Sequence, residues 1–314
     1  MHEKESQLSS KNVLQCIGAS DAGVDEETVV RHVVVVGAGT MGRGIAQVAA
    51  VAGITTFLVD VEDAALLRAQ TQIQDTLAGS VTRGKLTSSE AETAFDRIRS
   101  TVTLGDVVPG AELVVEAIVE NLAEKRALFS ELDTIAESDA LLATNTSSLS
   151  VASIASATRS PERVVGMHFF NPAHIMKLVE VVAHSSASSL SIERATEMSS
   201  LMGKHPIVVR DSPGFASSRL GVVLGLEAMR MLQEDVASAE DIDTAMELGY
   251  GHSMGPLRVS DLVGLDVRLS VAEYLYEKLG TALFEPPAIL KKKVRVGELG
   301  KKTGKGFYEW PKTS

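Results

Sequence analysis

The segment VVGMHFFNPAHIMKLVEVV, from Val164 to Val182, sets a histidine and a glutamate where a hairpin would bring them together. Two apolar, β-branched runs flank a turn containing Asn171 and Pro172, which reads as two antiparallel strands with a loop centred near His174. In that register His168 and Glu180 are equidistant from the centre, on one face of the sheet and directly opposed. A carboxylate beside an imidazole fixes its tautomer and raises its basicity, which is what a general base requires. The same pair would also suit a histidine that is only packed and hydrogen-bonded, and the residues alone leave both open.

A second group has the spacing of a phosphate cradle. Gly37, Gly39 and Gly42, with Ala38, Thr40 and Met41 between them, form GAGTMG between an apolar run and a helix. The first glycine allows the tight turn, the second lets a pyrophosphate approach the backbone, and the third lets helix and sheet pack closely. The pattern is weak in isolation, and its context makes it strong. Asp60 closes the next strand near the ~20-residue offset at which a carboxylate meets a ribose 2′-hydroxyl, and its charge disfavours a 2′-phosphate, so NAD is expected over NADP.

The elements that must position these residues follow from periodicity. HVVVVG, residues 32–37, is a strand buried on both faces, GAGTMGRGIAQVAAVAG a helix ending at Gly53, and TTFLVD a strand ending at Asp60. A charged helical hairpin broken at Gly84 is expected over 62–99, followed by strands at ELVVEAIVE (112–120), ALLATN (140–145) and VVGMHFF. This alternation predicts an α/β, Rossmann-type doubly wound sheet domain over 30–210. From 211 to 314 the chain reads as an all-α domain: a helix starting at SPGF through Pro213, one capped by Ser238 with Asp241, and one from Ser260 to Leu279. Residues 1–29 are expected to be a flexible extension.

Length and composition bound what such a molecule does. The 314 residues give room for about two domains. The lone Cys16 excludes an internal disulfide framework and suits a reducing, cytoplasmic setting. A net charge of −11 argues against nucleic-acid binding. No apolar run approaches the ~20 residues of a membrane span, since even Leu220 to Leu232 is interrupted by Glu227 and Arg230, so no span is expected. The acidic first thirty residues look like neither a secretory signal nor a transit peptide.

The motifs GAGTMGRGIAQ, VVEAIVENLAEK, TNTSSLS, GMHFFNP, MKLVEVV, DSPGF, MGPL, DLVGLD and KKTGKGFY occur in one order over residues 31–312, and with them the chain resembles the L-3-hydroxyacyl-CoA dehydrogenase family, including its 3-hydroxybutyryl-CoA members. The resemblance implies NAD as cofactor, a short-chain acyl-CoA substrate of fatty acid β-oxidation, and a homodimer formed through the C-terminal helices. It implies that His168 is the catalytic base held by Glu180, with Ser147 and Asn171 beside the substrate oxygen. Asn145, Glu120, Lys125 and Lys302 are placed by it at the cofactor. From the residues alone, Ser147 and the asparagines could cap helices, Glu120 and Lys125 could be a surface pair, and Lys302 could belong to a solvated tail. Arg83, Lys85, Arg97 and Arg99 lie where the family meets coenzyme A, although a charge run is also often just a solvated face. His32, His174, His184, His205 and His252 lack comparable partners and read as structural or surface residues.

One position departs from the family pattern. PGFASSR puts Ser218 where an asparagine commonly assists binding of the substrate oxygen. A hydroxyl still donates but is shorter, which predicts altered substrate preference rather than inactivity. Two other readings remain: a related dehydrogenase acting on 3-hydroxyadipyl-CoA, a free sugar acid or carnitine, or a non-catalytic NAD-binding structural or regulatory protein. Retention of Ser147, His168 and Glu180 weighs against the latter, because a pure binder needs no base.

Overall fold

The computed structural model describes residues 32–311, so the expected extension over 1–29 lies outside the described residues. Eight strands form one sheet: β1 (His32–Val36), β2 (Thr55–Val59), β3 (Ile98–Thr101), β4 (Leu113–Glu116), β5 (Leu141–Thr144), β6 (Val164–Phe169), β7 (Leu178–Ala183) and β8 (His205–Arg210). Their spatial order is β3-β2-β1-β4-β5-β6-β7-β8. The first six run parallel, β7 is antiparallel to β6, and β8 is parallel to β7. The strand order reverses between β1 and β4, which is where a doubly wound sheet opens a crevice at its carboxyl edge.

Helices α1 (Thr40–Val51), α2 (Asp63–Thr82), α3 (Ser88–Asp96), α4 (Leu122–Ile135), α5 (Val151–Ala155) and α6 (Ser189–Leu201) connect these strands. Central strands such as HVVVV and LVVE are buried almost throughout because both sheet faces are covered: α1, α2 and α6 close one apolar layer and α4 and α5 the other. After Arg210 the elements are helical: α7 (Ser217–Gln233), α8 (Ala239–Tyr250), α9 (Pro256–Val263), α10 (Leu265–Leu279) and α11 (Ala288–Arg295), gathered on a third apolar cluster. Among the described residues no helix is long and apolar enough to cross a membrane.

Four sequence readings are corrected. The helical hairpin ends at Asp96, and Arg99 lies in β3, an edge strand that the charged pattern concealed. The strand read as 112–120 stops at Glu116, because the chain must leave the sheet there to reach the crevice. The helix expected from Pro213 begins at Ser217, after a turn in which Gly214 and Phe215 have φ of +74° and +48°. The stretch from Ser260 to Leu279 is two helices broken at Gly264, whose φ is +103°. The other edge strand, β8, was not read either; it opens with His205 and Pro206 and is half-exposed, as proline on an edge allows.

Candidate active site

The opposed pair is realised as the hairpin predicts. β6 and β7 pair in the register His168↔Glu180, and His168 Nδ1 lies 2.8 Å from Glu180 Oε2 with the two residues 7% and 0% exposed. Glu180 collects three further donors: the amides of Ala216 (3.1 Å) and Ser217 (2.8 Å) on Oε1, and the Ser217 hydroxyl (2.8 Å) on Oε2. Burial alone would raise its pKa, but the bonds from His168 and from the Ser217 amide and hydroxyl outweigh it and hold the carboxyl below its ordinary value. The late start of α7 thus has a purpose, since the turn through Phe215 aims the free amides of a helix N-terminus at the carboxylate. The imidazole is packed by Phe170 and Phe215, with ring centroids at 4.5 and 5.8 Å.

With Nδ1 committed, Nε2 is the nitrogen left for the cavity of about 310 Å³ that His168 lines together with Met41, Glu120, Asn145, Ser147, Phe170 and Asn171. Five residues singled out on three separate segments of the sequence therefore meet at the carboxyl edge of β4, β5 and β6. Asn145 also ties its neighbour, since its Oδ1 accepts the Phe169 amide at 2.9 Å.

The loop carrying Ser147 is anchored by charges running back into the sheet. Glu120 Oε1 accepts the Thr146 hydroxyl at 2.6 Å, the Ser147 amide at 3.1 Å and the Ser148 hydroxyl at 3.2 Å. Burial would raise the Glu120 pKa, yet the Thr146 hydroxyl, the Lys125 charge and the loop donors leave it below 4.5. Lys125 lies between Glu116 Oε1 (2.5 Å) and Glu120 Oε2 (3.4 Å) and is 1% exposed, so it is not part of a surface pair. Glu116 was missed by sequence reasoning and is completely buried, accepting also from the Thr144 hydroxyl (2.7 Å) and the Ile118 amide (2.8 Å). Its signal was an ionisable residue ending a strand buried on both faces. Ser217, also missed, carried none. The capping alternative falls to other residues: Ser150 caps α5, and Thr146 accepts the Leu149 amide.

The glycine turn fits a dinucleotide. A Cβ on Gly42 would sit 1.7 Å from the Gly37 carbonyl oxygen, and one on Gly37 2.6 Å from that of Ala117, so only glycine lets the turn close on helix and sheet. Gly39 by contrast faces open space, and no side chain caps the α1 amides behind it. Asp60 accepts the Ala38 amide at 2.7 Å and the Glu62 amide at 3.1 Å at the rim of a cavity of about 820 Å³, which Gly37, Gly39, Val59, Val102, Leu104 and Ile118 also line. An anion-binding helix start, a carboxylate and an apolar slot in succession are what pyrophosphate, ribose and adenine require.

Two candidates stand apart from both cavities. Lys302 lines neither, its ammonium lying 2.6 Å from the Asp266 carboxylate on α10, and the Ser218 hydroxyl makes no hydrogen bond to a described residue. The four insert cations separate as well. Arg97 reaches the Ala50 carbonyl at 3.5 Å and Arg99 lies over the Phe57 ring, whereas Arg83 and Lys85 join Lys204 around His174. Burial, and then the charges of Arg83, Lys204 and Lys85, lower the His174 pKa. His184 is structural, bonding the Pro161 and Val164 carbonyls.

Comparison with known proteins gives the family of the chain. Residues 32–212 match the family described as 3-hydroxyacyl-CoA dehydrogenase, NAD binding domain, and residues 214–310 its C-terminal domain. The chain is 41% identical to a probable 3-hydroxybutyryl-CoA dehydrogenase of Bacillus subtilis, over 90% of this chain and 98% of that protein. It is 41% identical to the mitochondrial hydroxyacyl-coenzyme A dehydrogenase of Homo sapiens, over 91% and 93% of the two chains. The crystal structure of (S)-3-hydroxybutyryl-CoA dehydrogenase from Ralstonia eutropha superposes with a TM-score of 0.86 at 37% identity, covering 90% of this chain and all of that one.

Proposed function

The chain belongs to the 3-hydroxyacyl-CoA dehydrogenase family, and from that premise we propose that it interconverts short-chain L-3-hydroxyacyl-CoA and 3-oxoacyl-CoA with His168 as general base and general acid. It is an NAD-dependent oxidoreductase. The observation that carries the residue assignment is the buried His168–Glu180 pair, with the free edge of the imidazole in a small cavity shared with Ser147 and Asn171.

In oxidation, His168 Nε2 takes the proton of the 3-hydroxyl as the C3–O bond becomes a carbonyl. When bound, the nicotinamide takes up the hydride that leaves C3. Glu180 holds the imidazolium that results, so the charge generated in the cavity is met by one already fixed in the sheet. The hydroxyl of Ser147 and the amide of Asn171 are suited to hold the reacting oxygen, and the chain Glu116–Lys125–Glu120 keeps the Ser147 loop in place for them. In reduction the imidazolium returns its proton to the same oxygen. Asp60 is suited to the ribose hydroxyls, and the amides at the start of α1 to the pyrophosphate.

The cavity of about 320 Å³ lined by Ser80, Lys85, His174 and Lys204, with Arg83 nearby, supports seating the anionic coenzyme A arm there. Ser218 on α7 remains a substrate-side candidate, and Lys302 a cofactor-side one only if it leaves Asp266. We further propose a domain boundary near residue 210, cytoplasmic action in β-oxidation, and a homodimer through the C-terminal helices. The dimer is supported by exposed Leu220, Leu262, Val263 and Val267 on α7, α9 and α10.

The test follows NADH oxidation with acetoacetyl-CoA, longer 3-oxoacyl-CoAs, 3-oxoadipyl-CoA and the matching free acids. Acetoacetyl-CoA should have the highest kcat/KM, and no turnover with any thioester would refute the proposal. His168→Gln should abolish turnover and leave NADH binding within about twofold.

A further inference from the structure

We infer that Ser217 is a positioning residue whose hydroxyl draws on the same oxygen of Glu180 that holds His168, and so sets the pH range in which His168 works as a base. The inference rests on the assignment of His168 as that base.

A carboxylate offers about four lone-pair sites, and Glu180 uses all four: two backbone amides on Oε1, and His168 Nδ1 and Ser217 Oγ on Oε2. The two Oε2 contacts are equal at 2.8 Å, so the hydroxyl and the imidazole compete directly for the charge of one atom. The amides belong to the α7 N-terminus and no side-chain substitution removes them. The hydroxyl is different in kind. It belongs to the first residue of a helix, a position that tolerates alanine, and it makes no other hydrogen bond to a described residue that would collapse with it.

Among the described residues, His168 is the one titratable group bonded to Glu180. On the sheet Glu180 is flanked in register by His168 of β6 on one side and by apolar Ile207 of β8 on the other. Glu120, which lines the His168 cavity from the β4–α4 connection, is tied to Lys125 and the Ser147 loop. Asp211, on the β8–α7 connection, is committed to the Ser150 hydroxyl (2.9 Å) and the Ala152 amide (2.8 Å). No lysine or arginine touches Glu180 among the described residues.

Removing the hydroxyl leaves more negative charge on Oε2, which stabilises the imidazolium. The acidic limb of kcat/KM for oxidation of 3-hydroxybutyryl-CoA should therefore move to higher pH in Ser217→Ala, by about half to one unit, or roughly 3- to 10-fold in proton affinity. Ser217→Thr, which keeps a hydroxyl, should restore the wild-type limb. The second readout needs no turnover: the imidazole titration of His168 followed by NMR in the whole protein, with its signal identified by its loss in His168→Gln. A midpoint that rises in Ser217→Ala and returns in Ser217→Thr supports the inference. An unmoved midpoint in Ser217→Ala, or an equal rise in Ser217→Thr, overturns it whatever happens to kcat. A midpoint that moves while the kinetic limb stays put overturns His168 as the base and leaves only the Ser217–Glu180 coupling.

Discussion

Replacing Lys125 by methionine separates the two descriptions of that residue most sharply. A surface ion pair contributes about 0–1 kcal/mol, whereas removing one partner of a buried pair costs about 3–5 kcal/mol because the other charge is left uncompensated. Lys125 is 1% exposed and Glu116, 2.5 Å away, is 0% exposed, so the second regime applies. Glu116 would keep the Thr144 hydroxyl and the Ile118 amide, two of its three donors, which puts the expected cost toward the lower end, about 3 kcal/mol. At about 2 °C per kcal/mol, the lower end of the range for large domains, that is a fall in Tm of about 6 °C. The partner of the cycle, Glu116→Gln with Lys125→Met, neutralises both charges and should recover at least 1 kcal/mol of the loss. Glu120, which anchors the Ser147 loop, also loses its cation, so kcat/KM for acetoacetyl-CoA should fall about tenfold or more in Lys125→Met. Urea denaturation of the single and double variants and steady-state kinetics measure this. A single-variant cost under about 1 kcal/mol, or a double variant less stable than Lys125→Met, would refute the account of a buried, mutually dependent pair.

Gly39→Ala and Gly42→Ala should part company: the first meets open space and should keep its Tm while weakening NADH binding at least about tenfold, whereas the second meets the Gly37 oxygen at 1.7 Å and should lose both, as fluorescence titration and melting curves will report. Asp60→Ala should weaken NADH binding by about 10- to 100-fold and narrow the preference over NADPH, and an unchanged NADH/NADPH ratio would remove Asp60 from cofactor selection. Glu120 and Glu180 are held below the ordinary carboxylate value of 4.5, so the stability they contribute is present above it and is lost as pH falls through their folded-state values. Tm should therefore be nearly flat from neutral pH to about 5 and drop below that, with the drop shallower in Glu120→Gln. Ser218→Asn should redistribute kcat/KM among acyl chain lengths, and identical profiles would dismiss Ser218 as a substrate contact.

What was legible in this chain was what depends on local order. The period-two register that sets His168 against Glu180 survives because one face of the hairpin is buried, and a slip by one residue would turn every side chain over. The glycine turn and Asp60 were legible because the phosphate cradle is built from consecutive backbone, and the two layers of apolar periodicity announced the sheet and its helices. Edge strands escaped detection: β3 and β8 are half-exposed, β3 reads IRST with no apolar run, and the run of β8 is only Ile207 to Val209 between His205-Pro206 and Arg210.

The amino-acid sequence by itself determined the fold class, the cofactor turn and the imidazole–carboxylate pair, because each is specified by residues close in the chain or by a repeating pattern. Only the tertiary structure decided that Glu116 and Lys125 form a buried pair behind the Ser147 loop, and that the first turn of α7 completes the bonds to Glu180. It also decided that Arg83 and Lys85, not Arg97 and Arg99, are the cations near His174. The physical reason is that burial and charge compensation are properties of atoms brought together from distant segments. Glu180 and Ser217 are 37 residues apart and share a bond only because β7 and α7 converge on the same point.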